Sequence, residues 1–404
     1  MAGPVRIFIS AGEASGDSYG ASLVEALGAR LGSADFFGCG GDHMRAAGCR
    51  TLVNAHNITM VGLVEVLPGL RRAWNALRHL RQAIDRERPQ LAILIDFPDF
   101  NLRLAKHLKR AGVPVLYFVA PQVWAWRPRR LKTIRRTVTR LLCIFPFEEG
   151  FFRNAGVAAK FVGHPLVGRV RPSLTAEQFR SRFSLPTDRT LIALLPGSRQ
   201  KEILLNLPPM LAAAGLLAAK RKCSFVLPVA STTRADWVRQ QTALAGVPVT
   251  VVENSTYDAV AHSQAAIVAS GTAATETALL GTPMVIVYRV SGMSWLLGRW
   301  LVHTPFYSMV NLVEGREVVP ELIQNRFQPE TVAREIEQLL DVPQIRQQMQ
   351  DDLADFAQRL QKVTHTDEKP GENGGPVREQ ISDPIQRSAA IAESILKGRA
   401  ANQS

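Results

Sequence analysis

The stretch VRIFISAGEASGD, from Val5 to Asp17, joins a short apolar run to a glycine-rich turn. The apolar run predicts a first β-strand, and the turn after it predicts a tight connection into a helix. Turns of this kind usually hold a phosphate at the helix N-terminus. This turn contains Glu13 and Asp17, whose carboxylates would repel a phosphate. The stretch therefore predicts a parallel α/β fold whose first turn serves a different ligand.

The same alternation of β-rich runs and helical patterns continues along the 404 residues in two series. Alternation of this kind predicts parallel sheets with helices on both faces. We predict two Rossmann-like, doubly wound domains of the GT-B type that face each other across a cleft, at 1–170 and 171–345. The remainder, 346–404, is predicted to form C-terminal helices with a flexible insert rich in glycine and proline at 364–380.

The composition is that of a soluble globular protein, but the net charge of +13 is unusually basic. It favours an anionic partner, such as a nucleic acid, an anionic membrane surface or a phosphorylated substrate. The basic residues are spread along the chain, which argues against nucleic acid. The four cysteines form no CxxC pair, which argues against zinc and disulfides and is typical of a reducing cytosol.

Neither a signal peptide nor a transmembrane helix is predicted. The N-terminus has no basic region followed by a long apolar core. The most apolar windows, around 58–70 and 203–219, are short or interrupted by prolines and polar residues, whereas a span needs about 20 apolar residues.

The segment LLPGSRQKEI, from Leu194 to Ile203, reads as a strand end, a turn and a helix start. Backbone N–H groups around Gly197 and Ser198 can receive an anion, and the planar fork of Arg199 can clamp it. An ordinary connection with a solvated arginine would have the same sequence.

A second motif follows in ASGTAATETALLGTPMVIVYR, from Ala269 to Arg289. Its small residues let a ligand approach the backbone closely: Ser270, Gly271, Thr272 and Ala273. Glu276 follows Thr272 by about one helical turn, and its carboxylate suits the two hydroxyls of a ribose. A helix packed tightly through small residues is the alternative. Because both motifs follow strands of one domain, they together predict a nucleoside diphosphate site.

Several strings of the sequence resemble the lipid A disaccharide synthase family of inverting GT-B glycosyltransferases. They are AGEASGD, IDFPDFN, APQVWAWR, FVGHP, LLPGSR and SGTAATETALLGTPMVIVYR. The resemblance runs in order from about residue 6 to about residue 345. It implies transfer from UDP-2,3-diacylglucosamine to 2,3-diacylglucosamine 1-phosphate, which gives a β(1→6) disaccharide and UDP. It also implies that Asn311 belongs to the donor site.

An inverting transfer needs a base that takes a proton from the acceptor hydroxyl. The string LAILIDFPDFN puts Asp96 at the end of a buried strand, so we rank Asp96 first. Glu13 and Asp99 follow, although Asp99 could instead cap the next helix. Asp17 is interpreted as the cap of a helix at 17–31.

The acceptor is expected to bind among residues that follow other strands of the first domain. Aromatic faces stack on sugar rings, and an arginine can meet the acceptor phosphate, which we expect of Arg127. Ser15 is expected to position the acceptor or the donor diphosphate. The full set is Ser15, Gln122, Trp124, Trp126, Arg127 and His164. A lone histidine such as His164 is also commonly structural.

The acylated substrates imply contact with a bilayer, so we expect a peripheral protein on the cytoplasmic face of the inner membrane. The segment 58–82 combines an apolar face, with Leu67, Leu70 and Trp74, and several arginines. Such a face is typical of an interfacial helix, although a core helix of an α/β layer also has an apolar stripe. No metal and no cofactor are expected, since no D-x-D motif is present. A homo-oligomer is left open.

Two alternatives remain. Another GT-B enzyme that uses UDP-N-acetylglucosamine, such as a muramyl-lipid transferase or a 2-epimerase, would have a similar donor site. A two-lobed solute-binding protein would share the architecture without catalysis, but the missing export signal argues against it.

Overall fold

A computed structural model describes residues 4–55, 58, 66–230, 233–243, 246–290, 304–363 and 383–401. The chain divides into two compact units. The first comprises Met1–Pro165 with Leu360–Ser404, and the second comprises Leu166–Arg359. The insert predicted at 364–380 lies outside the described residues.

The first unit is built on a seven-stranded, wholly parallel sheet in the order β3-β2-β1-β4-β5-β6-β7. Its central strands are buried and apolar on both faces, as a parallel sheet covered by helices requires. The strands are β1 Val5–Ala11, β2 Ala34–Gly40, β3 Arg50–Asn54, β4 Leu91–Ile95, β5 Val115–Phe118, β6 Arg140–Cys143 and β7 Ala159–Phe161.

Helices connect these strands and cover the sheet. They are α1 Ala14–Leu31, α2 Asp42–Ala46, α3 Val66–Glu87, α4 Pro98–Arg110, α5 Arg130–Thr137 and α6 Pro146–Asn154.

The second unit has a six-stranded parallel sheet in the order β10-β9-β8-β11-β12-β13. Its strands are β8 Thr190–Leu195, β9 Cys223–Val229, β10 Val249–Glu253, β11 Ala265–Ala269, β12 Met284–Tyr288 and β13 Glu321–Ile323. Its helices are α7 Ala176–Arg182, α8 Gln200–Lys220, α9 Ala235–Thr242, α10 Thr256–Ala261, α11 Thr272–Leu279, α12 Met309–Glu314, α13 Pro329–Asp341 and α14 Pro343–Gln361.

The last helix, α15 Pro384–Ala401, returns to the first unit and packs on α1. The Asp383 carboxylate caps this helix, because it accepts hydrogen bonds from two backbone N–H groups of the first turn. Arg30 of α1 pairs with Glu393 of α15 at 2.9 Å. Helix α15 therefore belongs to the first unit.

The interpretation of Asp17 is corrected by the structure. Helix α1 already begins at Ala14, so Asp17 lies inside its first turn. Its buried carboxylate accepts hydrogen bonds from the backbone N–H groups of Gly41, His43 and Met44, at 2.6, 3.0 and 3.2 Å. Asp17 therefore caps α2, and it does so from the neighbouring helix.

Helix α8 is long and apolar enough to cross a membrane by length and composition alone. The interruption predicted there does not occur, because the helix continues through Pro208 and Pro209. Half of its apolar window is buried inside the protein. Its Asn206 is fully buried, where the side-chain amide donates to the Pro196 carbonyl and accepts from the Arg289 N–H. These contacts are those of a core helix in the second unit.

Candidate active site

In the first sheet, β1 lies between β2 and β4, so the connections after β1 and β4 leave in opposite directions. Ligands of open α/β sheets bind at such a switch point, outside the carboxyl ends of the strands. The turn after β1 contains Gly12 and Glu13, and the turn after β4 contains Asp96 and Phe97. The two turns touch, since a Cβ on Gly12 would lie 2.2 Å from the Phe97 ring. The fold thus brings two predicted base candidates, Glu13 and Asp96, to one place.

The carboxyl group of Asp96 is partly buried at this switch point. Burial raises its pKa to about 6, and the negative charge of Glu13 contributes to the shift. A carboxylate with a pKa in this range is ionised at neutral pH and is a stronger proton acceptor than an ordinary aspartate.

Asp99 lies one turn further on, in the first turn of α4, and is exposed. Its carboxylate pairs with Arg127, at 2.8 Å, and with Arg130. Both guanidinium groups lie over the Trp126 ring, at 4.4 and 5.1 Å from its centroid. Two cations and one carboxylate therefore form a net positive cluster, in which Arg127 and Asp99 are exposed and Arg130 is partly buried. Arg130 was not singled out by the sequence, because it lies within a basic run that resembles a solvated helix face.

The indole of Trp124 is hydrogen-bonded to a buried carboxyl group. Its indole Nε1–H donates to Glu148, at 3.2 Å, and its ring packs edge-on against Phe147. Glu148 is 1% exposed, and burial raises its pKa to about 8. The other carboxyl oxygen accepts from the Phe145 N–H, at 3.2 Å. Nothing in the local sequence around Glu148 indicates this contact, since Trp124 lies 24 residues away.

The remaining acceptor candidates differ in their exposure to solvent. Ser15, in the first turn of α1, and Gln122, after β5, are exposed. His164 is only 4% exposed and packs against Phe145, and burial lowers its pKa to about 3. The imidazole is therefore neutral at physiological pH.

The second sheet has its switch point at β8, which lies between β9 and β11. The turn after β8 contains Gly197, whose φ of 122° favours glycine. Arg199 is the N-cap residue of α8, and its side chain is exposed. Its guanidinium lies 3.3 Å from Glu202, whose other carboxylate oxygen accepts from the Ser198 N–H at 3.2 Å. The structure therefore adds Glu202, for which the sequence predicted no role, to this turn.

The turn after β11 lies at the same switch point and leads into α11. Gly271, with a φ of 152°, is the N-cap residue, so the backbone of Gly271 and Thr272 is open to a ligand. The Ser270 hydroxyl donates to the Tyr307 carbonyl, at 3.1 Å. The Glu276 carboxylate accepts from the Tyr257 hydroxyl, at 3.0 Å, and burial raises its pKa. Ala273 follows in the same first turn.

The resemblance assigns Asn311 to the donor site, and the structure shows what its side chain contacts. Its side chain is 0% exposed. The amide nitrogen donates to the Val319 carbonyl and to Glu321, both at 2.8 Å. The amide oxygen accepts from the N–H groups of Val318 and Val319, at 2.8 and 3.0 Å. With all its hydrogen-bonding capacity used, Asn311 fixes the loop that leads into β13.

Helix α3 contains the later part, from residue 66 onward, of the segment 58–82 expected at a membrane. Trp74 is 60% exposed and is accompanied by exposed arginines, Arg71, Arg72 and Arg78. Leu77, about one helical turn after Trp74, is buried in the core of the first unit. The side chains of Leu67 and Leu70 lie outside the described part of the chain.

Among the residues that the structure describes, no group of three or more histidine, cysteine, aspartate or glutamate side chains could hold a metal ion.

The comparisons with known proteins identify the family. A family model described as Lipid-A-disaccharide synthetase matches residues 7–370. The chain belongs to the lipid-A-disaccharide synthase family. A lipid-A-disaccharide synthase from Solibacter usitatus is 44% identical over 394 residues, which cover 98% of each chain. The Myxococcus xanthus lipid-A-disaccharide synthase is 45% identical over 361 residues, 89% of this chain and 94% of the relative.

Solved structures agree on the fold. A calicheamicin glycosyltransferase superposes with a TM-score of 0.59 at 16% identity, covering 98% of each chain. A UDP-N-acetylglucosamine 2-epimerase from Neisseria meningitidis, bound to UDP-N-acetylglucosamine, superposes with a TM-score of 0.57 at 10% identity. The match covers 98% of this chain and 100% of the epimerase chain. The prediction of a GT-B type α/β fold is confirmed. The family match also confirms that this lipid-A-disaccharide synthase family member is a glycosyltransferase, and it excludes the solute-binding alternative.

Proposed function

We propose that the protein transfers a diacylglucosamine unit from UDP-2,3-diacylglucosamine to 2,3-diacylglucosamine 1-phosphate. The products are UDP and a β(1→6)-linked disaccharide 1-phosphate, with inversion at the anomeric carbon. The observation that carries this proposal is the contrast between the two switch points. One contains carboxylates suited to a sugar hydroxyl, and the other contains an arginine and a helix N-terminus suited to a diphosphate.

In this reaction Asp96 acts as the general base. The acceptor 6-hydroxyl oxygen attacks the anomeric carbon of the donor and forms the new glycosidic bond. Its proton passes to the Asp96 carboxylate, and the bond from the anomeric carbon to the diphosphate oxygen breaks to release UDP. The charge of Glu13, which raises the pKa of Asp96, favours this proton transfer.

The donor site is assigned to the turns at the second switch point. Arg199 and the backbone of Gly197 and Ser198 meet the diphosphate, so that charge developing on the leaving group is offset. The carboxylate of Glu276 meets the ribose hydroxyls, and the small residues Ser270, Gly271, Thr272 and Ala273 admit the nucleotide. Asn311 supports the site through the loop that it fixes.

The acceptor site is assigned to the segment after β5. The positive cluster of Arg127 and Arg130 around Trp126 suits the 1-phosphate of the acceptor. Trp124 supplies a face for a sugar ring, while Gln122 and Ser15 supply polar contacts. His164, buried and neutral, is expected to support this segment rather than to exchange protons.

The direct test is an assay of the purified protein with both substrates. Disaccharide 1-phosphate and UDP should appear in equal amounts and only when donor and acceptor are both present. The decisive control replaces them with UDP-N-acetylglucosamine alone. A 2-epimer formed from that nucleotide, with no disaccharide from the acylated pair, would contradict the proposal.

Transfer should not require a divalent cation. The proposed donor site offsets the leaving charge with Arg199 and the N-terminus of α8. The initial rate after treatment with EDTA should therefore equal the untreated rate. Activity that is lost on chelation and restored by magnesium would mean that a cation, rather than Arg199, offsets the leaving charge.

The protein is further proposed to work as a peripheral protein on the anionic cytoplasmic face of the inner membrane. The acylated substrates must be drawn from a bilayer, and the net charge is +13. Helix α3 exposes Trp74 beside Arg71, Arg72 and Arg78, a combination typical of an interfacial helix.

Trp74→Ser should weaken binding to anionic liposomes most clearly at high salt, where the charged attraction is screened within about 10 Å or less. The apparent KM for the acylated acceptor should rise, whereas UDP affinity should not change. Ile345→Ser is the matched control, because Ile345 is an exposed apolar residue on α14 of the second unit. Sedimentation with liposomes measures both variants. Equal binding of the two would remove Trp74 from the proposed membrane surface.

A further inference from the structure

The backbone after β4 is unusual at two successive residues. Asp96 and Phe97 have φ values of 44° and 50°, in the left-handed region that residues other than glycine avoid. Such a conformation persists only where the surroundings enforce it, and it is concentrated at functional sites. The residues that enforce it can be read from the contacts of this turn.

Three buried polar side chains converge on this turn. The Asn101 amide donates to the carbonyl oxygens of Asp96, at 2.8 Å, and of Ile95, at 3.1 Å. The Tyr117 hydroxyl donates to the same Asp96 carbonyl, at 2.6 Å. The Ser10 hydroxyl donates to the Asn101 amide oxygen, at 2.8 Å, and fixes the orientation of that amide.

Each member of this network is fully buried. Ser10, Asn101 and Tyr117 are all 0% exposed, and they come from β1, α4 and β5. Burial raises the pKa of the Tyr117 phenol, which keeps its hydroxyl proton available for donation. Buried hydrogen bonds between fixed elements are rigid, because no water competes for their donors.

Apolar packing completes the restraint on the other side of the turn. The Phe97 ring occupies the space that a side chain at position 12 would need, since a Cβ on Gly12 would lie 2.2 Å from it. The same ring stacks on Phe100 with centroids 5.2 Å apart. The Asp96–Phe97 peptide is therefore held by hydrogen bonds on one residue and by ring packing on the next.

We propose that Tyr117 and Asn101, oriented by Ser10, are positioning residues that aim the Asp96 carboxylate at the acceptor hydroxyl. They do not touch the substrate; they hold the Asp96 carbonyl and so fix the direction of its side chain. This inference rests on the proposed function of Asp96 as the base. A displacement of the base by about 1 Å can lower the rate about 100-fold, so loss of this network should have a measurable effect on turnover.

The test is Tyr117→Phe, which removes one hydroxyl and keeps the ring in the core. We expect kcat to fall about 10-fold, with KM values for both substrates and the affinity for UDP within about two-fold of wild type. The matched control is Tyr19→Phe, which removes a hydroxyl from another buried tyrosine of the same unit. It should leave kcat near the wild-type value.

A double-mutant cycle of Tyr117→Phe with Asp96→Asn distinguishes the role of Asp96 as the base from the role of Tyr117 in positioning it. If the network acts through Asp96, Tyr117→Phe should have no further effect on kcat in the Asp96→Asn background. Near-normal turnover of Asp96→Asn would overturn both the base and its positioning. A strong defect in Asp96→Asn together with a wild-type kcat in Tyr117→Phe would overturn the positioning alone, as would an equal loss in both backgrounds.

Ser10→Ala provides a second route if Tyr117→Phe does not fold. It removes the hydroxyl that orients the Asn101 amide and leaves the Tyr117 hydroxyl in place. We expect a smaller fall in kcat of about three-fold, again with unchanged KM values. A wild-type kcat in Ser10→Ala, with Tyr117→Phe unfolded, would contradict the proposal.

Discussion

Asp96→Asn should lower turnover by about 100-fold or more, as the loss of a general base typically does. The amide is nearly the same size as the carboxyl group but cannot take a proton from the acceptor hydroxyl. The backbone contacts of Asp96 use its N–H and carbonyl groups, which the substitution keeps, so folding should be preserved. UDP affinity, measured by calorimetry, should not change. Near-normal turnover would transfer the role to Glu13 or Asp99.

The pH dependence gives an independent check on the same residue. Since Asp96 must be ionised to accept a proton, kcat/KM should fall as the pH drops through about 6. Glu13→Gln removes a negative charge that raises the pKa of Asp96, so the acid limb should then move to lower pH. Asp99→Asn is the matched control, because Asp99 pairs with two arginines and should leave that limb in place. An acid limb that does not move in Glu13→Gln would contradict the coupling between the two carboxyl groups.

The sequence predicted those parts of the fold that depend on strong local patterns. Apolar runs such as LAILI, at 91–95, are typical of buried strands in a parallel sheet, and the structure forms a buried strand there. Strands β3 and β13 have weaker sequence patterns. The first is only partly buried and begins with an arginine, and the second has three residues, so neither presents a continuous apolar run.

The placement of the candidate residues was predictable where they follow a strand and not where distant segments meet. Glu13, Asp96 and Arg199 each follow a recognisable strand, so the rule for strand ends finds them. The bond between Ser10 and Asn101 joins residues 91 positions apart, and only the fold brings them together. Asn311 shows the same limit, because its sequence does not reveal that the buried side chain bonds to Glu321, 10 residues away.

Arg199→Ala should weaken UDP binding by about 1.5–3 kcal/mol, the usual range for hydrogen bonds to charged groups. That loss corresponds to a Kd about 10- to 150-fold higher. The physical reason is that the guanidinium offers two parallel donors to the diphosphate, which alanine cannot replace. Arg199→Lys keeps the charge without the fork and should give an intermediate value. Calorimetry with UDP alone measures all three proteins and keeps the acceptor out of the comparison.

The same calorimetric experiment should include a variant of Glu202, which places the opposite charge at this turn. In the structure its carboxylate accepts from the Ser198 N–H and pairs with the Arg199 guanidinium, the two groups proposed to receive the diphosphate. UDP must therefore displace a carboxylate that already occupies its donors. Glu202→Gln removes that competing charge, so UDP should bind at least as tightly as to wild type, and more tightly at low salt, where charge effects are least screened. Opposite changes in affinity for Arg199→Ala and Glu202→Gln would identify the N-terminus of α8 as the diphosphate site. An unchanged UDP affinity in Arg199→Ala would refute the clamp, and weaker binding in Glu202→Gln would mean that the carboxylate supports the turn rather than competing with the ligand.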